Sequence, residues 1–233
     1  MFLIIIILVL VLGIGISRHA LGRYEQMLRQ GGRENAPMAH TGAEMAKLFL
    51  ESEGIDDIEI VEHTSVVSDY YDPRRRRLFL RPEIARGSSM AAWAVALHEA
   101  AHATQTGDSL AQFKWRQTVI LMTRYGPIFG AFGAVGMLLL RIHPRIAFLA
   151  FMAVCAVVLL LNLGTLAIEF NANARLHRFL EKHLEPWPSA HERLQGYLSA
   201  MATRELGDLL RSPRYFFFSG LPGTAKLRPN DKK

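Results

Sequence analysis

MAAWAVALHEAAHATQTG, residues 90–107, holds two histidines four apart with a glutamate directly after the first: His98-Glu99-Ala100-Ala101-His102. On an α-helix, residues i and i+4 share a face, so both imidazoles can reach one metal ion while Glu99 is turned toward a water on that metal. Ser88 or Ser89 can cap the helix N-terminus, Gly107 can end it, and nothing between them breaks it, which predicts one helix of about five turns. Ala94, Ala96, Leu97, Ala100 and Ala101 make that helix apolar nearly all round, which implies burial. Two histidines and a glutamate in a buried helix need a strong compensating partner. A metal ion supplies one, whereas solvated histidines on a surface helix do not fit such apolar flanks.

Outward from this run, the hydrophobic half of the 233-residue chain is strongly clustered. Residues 1–17, which are uncharged, and residues 144–168, whose one charge is Arg145 at the start, are long apolar stretches, each about long enough to cross a bilayer, which takes roughly twenty residues. Residues 125–140 form a shorter third candidate, in which Gly126, Gly130, Gly133 and Gly136 recur at helical spacing and would let another helix approach closely. The first stretch lacks a basic start, so an uncleaved anchor fits it better than a signal peptide. Arg18, Arg23, Arg29 and Arg33 follow the first span, Lys114, Arg116 and Arg124 precede the second, and Arg175, Arg178 and Lys182 follow the third. By the positive-inside rule these flanks are cytoplasmic, while Arg141 and Arg145 between spans two and three argue mildly the other way. The expected topology is a multi-pass protein of a bacterial inner membrane with its N-terminus outside and the HExxH region inside.

The net charge of +6 suits an anionic cytoplasmic leaflet, so membrane lipid is an expected partner. No aromatic-basic interleaving or nucleic-acid module accompanies that charge, and no nucleic acid is expected. The single cysteine, Cys155, falls inside the third span; it excludes an intramolecular disulfide framework and a cysteine-based zinc site and reads as packing.

Residues 18–40 read as a helix or a linker. Thr41 to Glu44 has capping-box spacing and opens a short helix that Gly54 closes. Residues 58–66 and 77–80 are rich in strand formers, with Asp72-Pro73 marking a turn between them, so a small sheet or hairpin precedes the HExxH helix. Such a hairpin is either purely structural or offers a strand edge to an extended peptide. Arg74 to Arg77 is a run of four arginines, read first as a solvated face, with phospholipid headgroups or an acidic substrate as alternatives. Further on, Ser189 to Glu192 repeats the capping-box spacing, and Leu194, Tyr197, Leu198 and Met201 fall on one stripe of a packing helix. Arg214 to Gly220 contains an aromatic cluster suited to a membrane interface or to capping the soluble core.

Catalytic zinc sites usually have three protein ligands and an open position. Glu169 is the best candidate for the third, because it lies where an apolar span emerges into polar sequence. The alternative is a glutamate reaching the headgroups or pairing with Arg175. Asn173, four residues on, shares its face and could hydrogen-bond a ligand. Tyr70, Tyr71 and His63 are candidates for stabilising an oxyanion.

HTGAEMAKLFLESEGI, SDYYDPRRRRLFLRPEI, AVALHEAAHATQ and LGTLAIEFNANARL together resemble successive blocks of the neutral zinc metallopeptidases of bacterial membranes, the YugP type. The resemblance runs from about Thr41 to Arg175. It implies that Glu169, in the block similar to EFDAS, is the third ligand. That block is also similar to the EFxAD segment of the HtpX and CAAX-protease group. Asn171 stands where the first pattern has aspartate, and Asn173 stands where the first has serine and the second aspartate; an amide accepts a hydrogen bond but carries no charge.

The expected fold is therefore a mainly α membrane protein with about three transmembrane helices and a small α+β zincin-like region around the HExxH helix. Its expected divisions are an anchor over 1–17, a cytoplasmic region over 18–118, two transmembrane helices over 119–168, and a third-ligand helix with a cytoplasmic helical region over 169–233. The expected activity is peptide-bond hydrolysis of a peptide or protein substrate, with one Zn²⁺ held by His98, His102 and Glu169 and with Glu99 as general base. An HtpX-like quality-control protease and a catalytically weak zinc-stabilised scaffold are the alternatives.

Overall fold

In a computed structural model that describes residues 2–64, 68–207 and 209–211, the chain is mainly helical with one small sheet. Its elements in order are α1 (Phe2–Gly31), α2 (Gly42–Ser52), β1 (Glu59–Glu62), β2 (Tyr70–Asp72), β3 (Arg77–Leu80), α3 (Pro82–Ala85), α4 (Met90–Ala101), α5 (Asp108–Leu139), α6 (Pro144–Arg175), α7 (His177–Leu184) and α8 (Pro188–Ala202). Two compact units are built from them. The first takes residues 1–26, 107–171 and 199–218; the second takes 27–106, 172–198 and 219–233.

In the first unit, α5 and α6 are long and apolar enough to cross a membrane. They form a hairpin with close packing at two of the four glycines singled out in the sequence. A Cβ on Gly126 would meet Val158 at 3.0 Å, and one on Gly130 would meet Val154 at 3.0 Å, whereas Gly133 and Gly136 face open space. Small residues that let backbones approach are what a helix pair in lipid relies on, since lipid tails offer no hydrophobic penalty to escape. Exposed Phe129, Phe132, Val135, Leu139, Val157 and Leu160 line the outer faces of this hairpin. Cys155 is buried, as packing. α1 passes Gly13 tightly against Leu159, and continues as one helix well beyond the apolar run to Gly31, so the polar residues after Ser17 begin as helix.

The second unit carries the HExxH helix. All twelve residues of α4 are buried, Trp93 completely, as the apolar flanks predict. Ser89 is its N-cap, with its side chain accepting from the Ala92 amide at 3.2 Å. Alanines on α4 permit a close neighbour: Gly42, at the start of α2, sits so near that a Cβ there would meet Ile84 O at 2.3 Å and Ala92 O at 3.0 Å. Both halves of the capping box are present, with the Thr41 hydroxyl accepting from the Glu44 amide and the Glu44 carboxylate accepting from the Thr41 amide. Gly54 follows the helix with φ +71°, a conformation that favours glycine. The indole N–H of Trp93 donates to His40 O at 2.8 Å, which ties the segment before α2 to the middle of α4.

The sheet has the order β1-β3-β2. The strand signal over 58–66 is realised only as far as Glu62, and residues 65–67 lie outside the described residues. The hairpin partner of β3 is β2, in the register Tyr70↔Phe79 and Tyr71↔Leu78, while β1 runs parallel to β3. Asp72 makes the hairpin turn by accepting the Arg74 and Arg75 amides, at 2.9 and 3.3 Å. The arginine run is on the surface, with Arg75 paired to Asp72, Arg76 to Asp57 and Arg77 to Glu59. That is the solvated-face reading, with its charge largely matched by neighbouring carboxylates.

Two local expectations are corrected. α4 ends at Ala101, and His102–Thr104 tighten into a 3₁₀ turn, so the HExxH helix is three turns long and Gly107 precedes α5 with φ +56°. α8 begins at Pro188, one residue before Ser189, because proline suits the first helical position; Ser189 is thus inside the first turn, not before it. The stripe of α8 is as expected, with Leu194, Leu198 and Met201 buried. The aromatic cluster over 214–220 lies outside the described residues.

Candidate metal centre

His98 and His102 emerge from the last turn of α4 and from the 3₁₀ turn after it, both fully buried, with ring centroids 5.1 Å apart at 80°. Each ring is held from behind by an amide. Asn173 Oδ1 lies 2.8 Å from His98 Nδ1, and Asn173 Nδ2 donates to Leu198 O at 2.8 Å. The second bond fixes which way the Asn173 amide points, so its oxygen faces the imidazole and can only accept. Gln105 Oε1 stands 3.1 Å from His102 Nδ1 in the same sense. For His98 the accepting oxygen places the proton on Nδ1 and leaves Nε2 its lone pair, and the Gln105 oxygen beside His102 Nδ1 suits the same tautomer. That is the tautomer a metal ligand needs, oriented by a hydrogen bond on the far nitrogen.

This arrangement explains the early end of α4. Gln105 adopts an extended backbone (φ −71°, ψ 122°), which lets its side chain turn back on a ring three residues earlier. Thr104 Oγ1 donates to Ala101 O at 2.8 Å, and Arg175 Nη1 donates to Thr104 O at 2.7 Å. The carbonyls left open by the shortened helix are thus taken by side chains.

Glu99 is buried between the histidines, at 1 % exposure. Asp69, 2 % exposed, lies close enough to feel its charge. Burial pushes the Asp69 carboxyl above the usual carboxylate range, against the downward pull of Arg81, which supplies both its backbone amide (2.7 Å) and its guanidinium (3.0 Å); Glu99 adds a further upward push. Asp69 and Gln105 carry no spacing signal in the sequence and escaped its reading.

Glu169 is fully buried near the end of α6. Within its own unit it pairs with Arg116 of α5, which in turn bonds Glu205. His98 and His102 in the second unit and Glu169 in the first are buried and each offers one ligand atom. Two imidazoles and a carboxylate form a donor set suited to zinc. Of the two departures from the family pattern, Asn171 is exposed and Asn173 is the residue that orients His98.

The three oxyanion candidates separate by face. Tyr70 stacks on Phe79 at 5.0 Å and His63 meets the same ring edge-on at 6.2 Å, whereas Tyr71 pairs with Leu78 on the opposite face and is buried. Burial raises the Tyr71 phenol above its ordinary value, with Arg76 opposing.

Replacing Asn173 with Leu removes the acceptor of His98 Nδ1–H and the donor to Leu198 O. We expect zinc affinity about 10–100-fold weaker, read by competition with a chromophoric chelator; unchanged affinity would show that the amide orients nothing.

Residues 1–205 match the sequence profile of a family described as "Putative neutral zinc metallopeptidase". The chain is also 26% identical over 156 residues to "Putative membrane protease YugP" of Bacillus subtilis (strain 168), a match that takes in 62% of this chain and 64% of that protein. The chain thus spans under two thirds of that relative's length. No solved structure matches it.

Proposed function

The chain belongs to the neutral zinc metallopeptidase family, and from that membership we propose that it is a multi-pass membrane endopeptidase in which His98, His102 and Glu169 hold one Zn²⁺ and Glu99 is the general base. The observation that carries the proposal is the pair of amide oxygens beside His98 Nδ1 and His102 Nδ1, a setting that suits ligation through Nε2. Support for Glu169 comes from its helix. Asn173 lies one turn beyond Glu169 on α6, on the same face, and Asn173 bonds His98.

Zinc, when bound, lowers the pKa of a coordinated water to about 7 and polarises a carbonyl. Glu99 would serve as the base that accepts a proton from the attacking water and returns it to the leaving amine. Its burial suits the role, because a base shielded from bulk water keeps the proton for the leaving group. Tyr70, Tyr71 or His63 stabilises the oxyanion. The substrate is a peptide or protein, the protein sits in the inner membrane of a bacterium among its lipids, and the catalytic region faces the cytoplasm. Two long apolar helices and the basic residues flanking them support that placement. Asn173 offers His98 an accepting oxygen as an aspartate would, without the charge, which speaks against the catalytically weak scaffold.

The test is metal depletion of the full chain in detergent. Protein dialysed against a strong chelator should cleave casein no faster than buffer and should recover with one equivalent of zinc per chain. Cleavage that survives depletion would place the chemistry elsewhere.

A further inference from the structure

The first unit contains a buried cluster of charges that peptidase chemistry does not by itself require. Arg116, Arg124, Arg204, Glu169 and Glu205 are all at most 6 % exposed. Glu205 Oε1 gathers three guanidinium groups: Arg116 Nη2 at 3.3 Å, Arg204 Nη2 at 3.2 Å and Arg124 Nη2 at 4.0 Å. Arg116 spends a different edge of its fork, Nε, on Glu169. One guanidinium therefore bridges the carboxylate of α6 and the carboxylate of the 3₁₀ turn Arg204–Gly207. Gly207 anchors that turn in the unit, since a Cβ there would meet Leu21 of α1 at 3.2 Å.

We propose that Arg116 and Glu205 are positioning residues for the metal centre: Glu205 fixes Arg116, and Arg116 fixes the rotamer of Glu169 so that one carboxylate oxygen is presented to zinc. The inference rests on the reading of Glu169 as a ligand. A carboxylate has two oxygens, so one can take the guanidinium while the other ligates. Ligating carboxylates are commonly held by such hydrogen bonds, and their loss costs about 10–100-fold in metal affinity. A planar fork can hold two carboxylates at fixed angles, which an ammonium on a flexible stem cannot.

The experiment uses the full chain in detergent, with wild type, Arg116→Lys, Glu205→Gln and His98→Ala. Each is titrated with zinc against a chelator, loaded with Co²⁺ for its visible absorption, and melted without metal. Wild type binding one zinc and His98→Ala binding none establishes the centre; wild type binding no zinc would defeat the ligand reading itself, independently of Arg116. With the centre established, Arg116→Lys and Glu205→Gln should bind zinc about 10–100-fold more weakly and shift the cobalt bands; their metal-free melting falls as well, because each change disturbs a buried ion cluster, so the bands decide. Zinc affinity and cobalt bands unchanged in both variants would overturn the inference. So would weaker binding with unshifted bands and a lowered metal-free melting point, which is the pattern of a purely structural ion cluster. Should Arg116→Lys fail to fold, Glu205→Gln, which keeps an acceptor and the side-chain volume, decides alone.

Discussion

Glu99→Gln should keep its zinc and lose peptide hydrolysis by about 10²–10⁴-fold, the usual worth of a positioned general base. The substitution is nearly isosteric, so the buried helix that carries it is not asked to repack. Glutamine cannot accept a proton at neutral pH, yet His98 and His102 keep their amide partners and their ligand nitrogens. Metal content and rate should therefore separate, with zinc at one per chain in both proteins and cleavage only in wild type. A variant that cleaves casein at the wild-type rate would remove Glu99 from the mechanism. A variant that loses zinc as well would mean that Glu99 helps hold the metal, contrary to the division of labour assigned to the HExxH helix.

What the sequence made legible is whatever leaves a mark at helical spacing. His98 and His102 four apart, the alanines around them and the Thr41–Glu44 box all appear in the structure as read, because each depends on residues within a few positions of one another. Glu169 was legible for a different reason, as a carboxylate at the edge of an apolar stretch whose cost calls for a role. Gln105, Asp69, Arg116 and Glu205 were not legible. Asn173 meets His98 across 75 residues and Glu205 meets Arg116 across 89, and no periodicity records such distances. The length of α4 failed for the same reason. Gly107 was the visible stop, but the helix is broken five residues earlier by the need to bring Gln105 back onto His102. The sheet was half legible: the strand formers were found, but β1 pairs in parallel with β3, and the hairpin partner of β3 is Tyr70-Tyr71-Asp72, which lies outside both strand-forming runs.

Removing a ligand should have a larger effect on metal than any change behind it. Structural zinc sites bind with about 10–16 kcal/mol spread over four ligands, or about 2.5–4 kcal/mol each, so losing one weakens binding by roughly two to three orders of magnitude. His98→Ala and Glu169→Ala should both leave the membrane-extracted protein without stoichiometric zinc by elemental analysis. Their effects on stability should differ. His98→Ala removes a neutral ring and an acceptor-satisfied N–H, whereas Glu169→Ala strips a buried partner from Arg116, whose side chain is 5 % exposed. Breaking a buried ion pair from one side costs about 3–5 kcal/mol, because the remaining charge stays desolvated, although Glu205 retains part of the compensation here. Metal-free Glu169→Ala should thus melt below metal-free His98→Ala, and Glu169→Gln, which preserves volume and one acceptor, should fall between them while still losing the metal. Zinc retained at one per chain in Glu169→Ala would send the third ligand to another carboxylate, with Asp69, the buried acid that feels the charge of Glu99, as the next residue to replace.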